Sequence, residues 1–169
     1  MTRVVDTNVA LVAKLPGGWP AELVDACEEL LEHILEARLP VVTDADGEIV
    51  DEYLNQLSLS GAPSLGDAFA RYVHDQRFVW DAAFRPDIGR DPNAEHRYAA
   101  LGGDDADIDP SDRKFVAAAK AAGVPVVQAT DTKWLDWGPA LARHGVRVEY
   151  VHEPAIRTLY RDKFGQDAP

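Results

Sequence analysis

Short apolar runs alternate along this chain with longer stretches whose apolar residues recur every three or four positions. This alternation limits the fold more than any other feature. The runs fall at residues 2–6, 39–44, 124–130 and 146–151. They are short and rich in valine, so they read as strands. Helical spacing fills the intervals: residues 20–39, a stretch opening at Gly47, residues 64–79, 109–123 and 133–144, and the C-terminal stretch. Strands interleaved with helices pair in parallel through crossovers, which cover the faces of the sheet. The expected fold is α/β: a three-layer αβα arrangement around a central parallel sheet of four to five strands. With 169 residues, 46% of them hydrophobic, one domain spanning 1–169 can bury a sizeable core. Residues 80–107 fit neither period and carry Pro86, Gly89, Asp91-Pro92 and Gly102-Gly103. They are expected to form an irregular, mobile surface excursion.

The segment PAELVDACEELLEHILEARL, Pro20 to Leu39, shows the helical pattern best. Leu23, Val24, Cys27, Leu30, Leu31, Ile34 and Leu35 share one face, and Glu22, Asp25, Glu28, Glu29, Glu32 and Glu36 share the other. The acidic run reads as a solvated helix face. Of the 29 acids and 17 bases, 13 acids and 3 bases lie in residues 1–70, and the net charge is −12. That balance argues against a protein that grips nucleic acid with its whole surface, while leaving room for a local basic patch. Cys27, the lone cysteine, rules out an internal disulfide and reads as a small core residue. No apolar run approaches a membrane span, and if Asp6 is a site residue, Met1 five residues before it is expected to leave no room for a signal peptide. A soluble, cytoplasmic protein is the expectation.

Acids recur at the strand ends. Asp6 closes the first run and Asp131 follows the run 124–130, and open α/β sheets bind ligands at the carboxyl ends of their strands. Asp112 falls early in the helix 109–123, with Phe115, Val116 and Ala119 at same-face spacings; Glu52 borders the apolar stripe of the helix after Gly47. A carboxylate on an inward helix face is costly unless it is paired or bound to metal. Mg²⁺ and Mn²⁺ favour oxygen ligands, and several carboxylates without histidine suit them better than zinc. Such a site activates water and stabilises charge on a phosphate under in-line attack. Each acid also has a structural alternative: Asp6 or Asp131 as the cap of a following helix, and Asp112 as a favourable first-turn acid behind Asp109 and Pro110. Asp109 reads as a cap. Glu48 and Asp51 rival Glu52.

Four segments, VVDTNV, EIVDEYLNQL, DPSDRKFVAAAKAAGVPVV and ATDTKWL, resemble in order and placement the acidic motifs of PIN domains, including VapC-type toxin ribonucleases. The likeness spans residues 3 to about 150. It implies a central acidic pocket, dependence on Mg²⁺ or Mn²⁺, and cleavage of RNA. Asp6, Glu52, Asp112 and Asp131 would be the catalytic and metal-coordinating acids, with Thr7 or Asn8 positioning Asp6. The same resemblance implies an antitoxin protein and a homodimer as partners. The long interval from Glu52 to Asp112, ending in GGDDADID, departs from the compact toxins.

Arg113 and Lys114, beside the proposed site, are candidates for phosphate contacts. Arg71, Arg77, Arg85, Arg90 and Arg97 read as surface residues, Trp134 and Trp137 as core or rim aromatics, and the five histidines show no ligand spacing. Two other functions compete. VVTDADGE resembles the nucleophile loop of haloacid-dehalogenase-like phosphatases, with Asp44 as nucleophile and Asp46 as acid/base. A calcium-loop register on the same stretch fails, because it puts Val42 and Tyr53 at ligand positions. The chain could also be a non-catalytic PIN-like module serving in protein binding.

Overall fold

A computed structural model of the chain describes residues 1–59 and 64–169. It is a mixed α/β structure with a parallel sheet in the order β1–β2–β3. Strand β1 is Val4–Val5, β2 is Val126–Gln128 and β3 is Val148–Tyr150. Val4 pairs with Val126, which in turn pairs with Val148. The helices are α1 (Thr7–Lys14), α2 (Ala21–Glu36), α3 (Glu48–Gln56), α4 (Leu65–Gln76), α5 (Arg113–Ala122), α6 (Gly138–Arg143) and α7 (Glu153–Phe164).

Among the described residues the sheet has three strands, against the expected four to five. The apolar run 39–44 lies beside β1 and makes one bond to it, from Val42 N to Arg3 O at 2.9 Å. Its other donors turn away: Thr43 N bonds Phe84 O at 2.9 Å and Ala45 N bonds Pro86 O at 3.0 Å. The segment 84–86 thus pairs with the far side of the run, whose contact with β1 is the one bond from Val42 and forms no regular ladder. The expected helix 133–144 is also divided. A 3₁₀ turn, Thr132–Leu135, precedes α6, and Pro139, which has no N–H to donate, stands in the first turn of α6.

Residues 80–107 form no regular helix or strand, and they do not lie wholly at the surface. Ile88, Tyr98, Leu101 and Ile108 are buried, and 3₁₀ turns form at Ala82–Phe84 and Ala99–Leu101. Arg90 bridges Tyr98 in antiparallel fashion. Gly89, at φ 68°, lets the two passes meet; a Cβ there would lie 2.5 Å from that of Ala99. Ile88, Tyr98 and Leu101 within the segment, with Ile108 just after it, offset the ordering of an otherwise irregular stretch.

Helices α1, α2 and α4 pack on one another, and α5 packs against β1 and β2. Glycine at Gly66 permits the close approach of α4 to α1, since a Cβ there would fall 2.1 Å from the Ala10 carbonyl oxygen. Cys27 is buried in the core as expected, and so are Trp134 and Trp137.

Candidate metal centre

Asp6 leaves β1 and caps α1, the structural alternative read for it from the sequence. Its Oδ1 accepts the Asn8 amide at 3.0 Å, and its Oδ2 accepts Gln128 Nε2 at 3.1 Å. Asp6 is 4% exposed. Asn8 reaches across to the end of β2, where its Oδ1 accepts Ala129 N at 3.0 Å and Thr130 N at 3.4 Å. The Asp6 and Asp131 ends of two neighbouring strands are therefore stitched together. Asp131 caps the following 3₁₀ turn through Lys133 N at 3.1 Å.

Glu52 arrives from α3. Its Oε1 accepts Thr7 Oγ1 at 2.6 Å, and its Oε2 meets Lys114 Nζ at 2.6 Å. Tyr53, its neighbour on α3, fixes the helix to β1 by donating to Val5 O at 2.5 Å. Of the rivals, Glu48 pairs with Arg90 at 3.1 Å and Asp51 is exposed. Asp112 ends the 3₁₀ turn that opens α5, and neither it nor Asp109 makes a side-chain cap there. The expected cap at Asp109 is corrected: its carboxylate pairs with Lys133 instead.

The four acids feel one another. Burial, reinforced by the charges of Asp112, Glu52 and Asp131 and opposed by the Asn8 amide, pushes the Asp6 carboxyl up to about 8. Burial and then the charge of Asp131 push Asp112 up to about 7, against the pull of Lys133. Both shifts reflect anions forced together in a poorly solvated place.

Two lysines moderate that repulsion. Lys114 is buried and bonds both Glu52 and Ser111 O. Lys133 lies 4.0 Å from Asp112 and 3.7 Å from Asp131, and its side chain is 40% exposed. Arg113 is turned elsewhere: it donates to Ile108 O at 3.0 Å and pairs with Asp105 at 3.5 Å. It braces the excursion and does not face the acids' partners. Among the described residues, no group of three or more His, Cys, Asp or Glu side chains is arranged to hold a metal ion. The carboxylates are committed to Gln128, Thr7 and the two lysines. The donor set itself suits a hard dication: it is all oxygen, carries four acidic groups and has no thiolate or imidazole.

Sequence reasoning missed Gln128 and Lys133. Gln128 is the one polar residue of β2, and Lys133 lies two residues after Asp131 in the ATDTKWL segment; both signals were there to be read. In the competing phosphatase motif, Asp44 gives both oxygens to α3: Oδ2 accepts Glu48 N at 3.0 Å and Oδ1 accepts Ile49 N at 2.9 Å. It is 1% exposed, and its oxygens are spent on the first amides of α3. Asp46 is exposed.

No protein family matches the chain, and no curated protein or solved structure matches it either. No helix among the described residues is long and apolar enough to cross a membrane.

Proposed function

We propose that the chain is a PIN-like ribonuclease that hydrolyses phosphodiester bonds in RNA with Mg²⁺ or Mn²⁺. The observation that carries this reading is geometric: acids from four separate parts of the chain share partners, since Gln128 bonds both the Asp6 carboxylate and the Asp131 amide, Thr7 next to Asp6 bonds Glu52, and Lys133 lies within 4.0 Å of Asp112 and 3.7 Å of Asp131. In this reading Asp6, Glu52, Asp112 and Asp131 hold the ion directly or through water. The ion, when bound, supplies an activated water and neutralises charge on the phosphate.

The chain's own residues do the rest. Gln128 and the Asn8 amide fix both oxygens of Asp6. Thr7 aims Glu52. Lys133, the more exposed of the two lysines, is placed to meet a phosphate oxygen of the substrate. Water oxygen bonds to phosphorus as the bond to the leaving ribose oxygen breaks; the products are a phosphate monoester and a hydroxyl. With an ion held there, these acids would receive an anionic polymer despite the chain's net charge of −12.

A second reading draws on the lysine pairs. Lys114 on Glu52 and Lys133 between Asp112 and Asp131 already balance part of the cluster's charge, as a non-catalytic PIN-like binding module would require. The test is cleavage of a mixed RNA pool with and without Mn²⁺. Asp6→Asn is expected to abolish Mn²⁺-dependent cleavage while the protein stays folded. Equal cleavage by the variant, or none by the natural protein together with no Mn²⁺ binding by calorimetry, rejects the nuclease.

A further inference from the structure

A strand offers backbone hydrogen bonds on both of its sides, and β3 spends one side on β2. The Arg147 carbonyl accepts Val126 N at 3.0 Å, and Val151 N donates to Gln128 O at 3.0 Å. Backbone groups alternate in direction along a strand, so the N–H and C=O groups of Val148 and Tyr150 turn away from β2. β3 ends the sheet in the order β1–β2–β3, and no described strand flanks its outer side. Side chains alternate as well. Val146, Val148 and Tyr150 line an apolar groove of about 450 Å³ along this edge, with Trp134 and Leu141 behind it. The alternation places Arg147 and Glu149 on a common side between them. Glu149 lies 3.9 Å from Arg3, while Arg147 is exposed and makes no ion pair among the described residues.

We propose that the outer edge of β3 docks a second copy of this chain, the two β3 strands pairing antiparallel about a two-fold axis at Val148. In this register Val148 meets Val148 of the second copy, and the two residues exchange their N–H···O=C bonds. Tyr150 N donates to the Val146 carbonyl of the second copy, and symmetry repeats the bond. Positions 147 and 149 then stand directly opposite each other, so Arg147 of each copy faces Glu149 of the other. Opposite charges across an antiparallel pair stabilise it, and like charges destabilise it. Moving the axis to Glu149 would keep backbone pairing but set two carboxylates against each other; charge therefore selects the Val148 register. On the groove side, Tyr150 of one copy packs beside Val146 of the other and covers apolar surface. Charged side chains ordinarily protect an exposed edge. Here the two charges have opposite sign and a spacing of two, which makes the edge complementary to itself, as an isologous contact requires. Parallel pairing would not close and would leave a free edge. The inference holds whether or not the acids around Asp6 bind a metal. Because the joined strands run in opposite directions, the two acidic clusters lie at opposite ends of the combined sheet.

The test is the oligomeric state of the full chain, measured by sedimentation velocity and light scattering from about 1 to 100 μM. The natural chain is expected to form a dimer that dissociates within this range. Arg147→Glu and Glu149→Arg each replace attraction by repulsion at both symmetry-related pairs, and each is expected to weaken the dimer about tenfold or more. An equimolar mixture of the two variants restores both pairs and is expected to dimerise as tightly as the natural chain. Val148→Pro removes an amide that faces away from β2, so it should weaken the dimer while circular dichroism stays unchanged. A natural chain that is monomeric at about 100 μM overturns the proposal. So does a dimer indifferent to both charge variants, which would place the interface elsewhere, or a mixture of the two variants that stays monomeric. Growth beyond the dimer with concentration would contradict the two-fold closure.

Discussion

Thr7 donates a 2.6 Å hydrogen bond to Glu52 across 45 residues of sequence. Thr7 begins α1, directly after Asp6, and Glu52 lies in the middle of α3. One hydroxyl thus sets the position of the α3 acid relative to the β1 acid. Replacing it with Thr7→Val keeps the shape and removes the donor. Partners that orient a metal ligand are worth about tenfold to a hundredfold in metal affinity. We expect Mn²⁺ affinity measured by calorimetry to fall by about tenfold, while chemical denaturation shows a loss of only about 1 kcal/mol.

Asp6 makes stability depend on pH in an uncommon direction. Its folded pKa is raised to about 8 from 3.8, so the folded state holds the proton more tightly than the unfolded chain does. The stabilisation is complete below the unfolded value and is lost as pH rises through the folded one. In EDTA the protein should therefore lose stability between about pH 4 and pH 8 through this group. Asp6→Asn should flatten that slope in thermal melts. Mn²⁺ should raise the melting temperature of the natural protein more at pH 8 than at pH 6, because proton and cation compete for the same oxygens. A slope unchanged by the substitution would contradict the shift.

Asp67 behaves in the opposite way. Burial alone would raise its pKa, but bonds from Ser58 N at 2.7 Å and Ser64 Oγ at 2.9 Å, with Lys14 at 3.1 Å, hold it below the usual carboxylate range. Its contribution is present above pH about 4 and is lost as pH falls through the lowered value. Asp67→Asn should cost about 2 kcal/mol at pH 7 by urea denaturation, and the deficit should shrink as pH falls through the lowered pKa.

At Gly66 the expected penalty is steric. A methyl group would fall against backbone atoms of Ala10, which have no rotamer to yield. Gly66→Ala should cost about 1–3 kcal/mol in denaturant midpoints through forced separation of α1 and α4, despite alanine's higher helix propensity. A stabilised variant would refute the close approach.

Lys133 should separate the two functional readings. If it meets substrate phosphate, Lys133→Ala weakens RNA binding and reduces its salt dependence by about one unit of slope. If it only balances Asp112 and Asp131, the same change lowers stability in EDTA and leaves the salt slope alone. Binding measured across a salt series decides between them.

The positions of the strands and most of the helices could be read from the sequence, because apolar spacing reports directly on burial. The site was legible for a related reason: Asp6 and Asp131 sit where β1 and β2 stop, a place that parallel pairing brings together. The number of strands could not be read. Residues 39–44 have a strand's composition, but whether they form a ladder with β1 depends on how the two backbones lie in space, and Val42 N makes the one bond. The burial of the excursion was hidden too, since Ile88, Tyr98, Leu101 and Ile108 follow no regular period. Arg113 adjoins Asp112 in sequence, yet the helix carries its side chain toward Asp105.

The pairing of Thr43 and Ala45 with the carbonyls of residues 84 and 86 reaches beyond strand count. A sheet margin with free amides invites a stranger's backbone to dock and extend it, the first step of aggregation. Here that flank is sheathed by the protein's own irregular chain, so recruitment of a further copy on the β1 side is blocked.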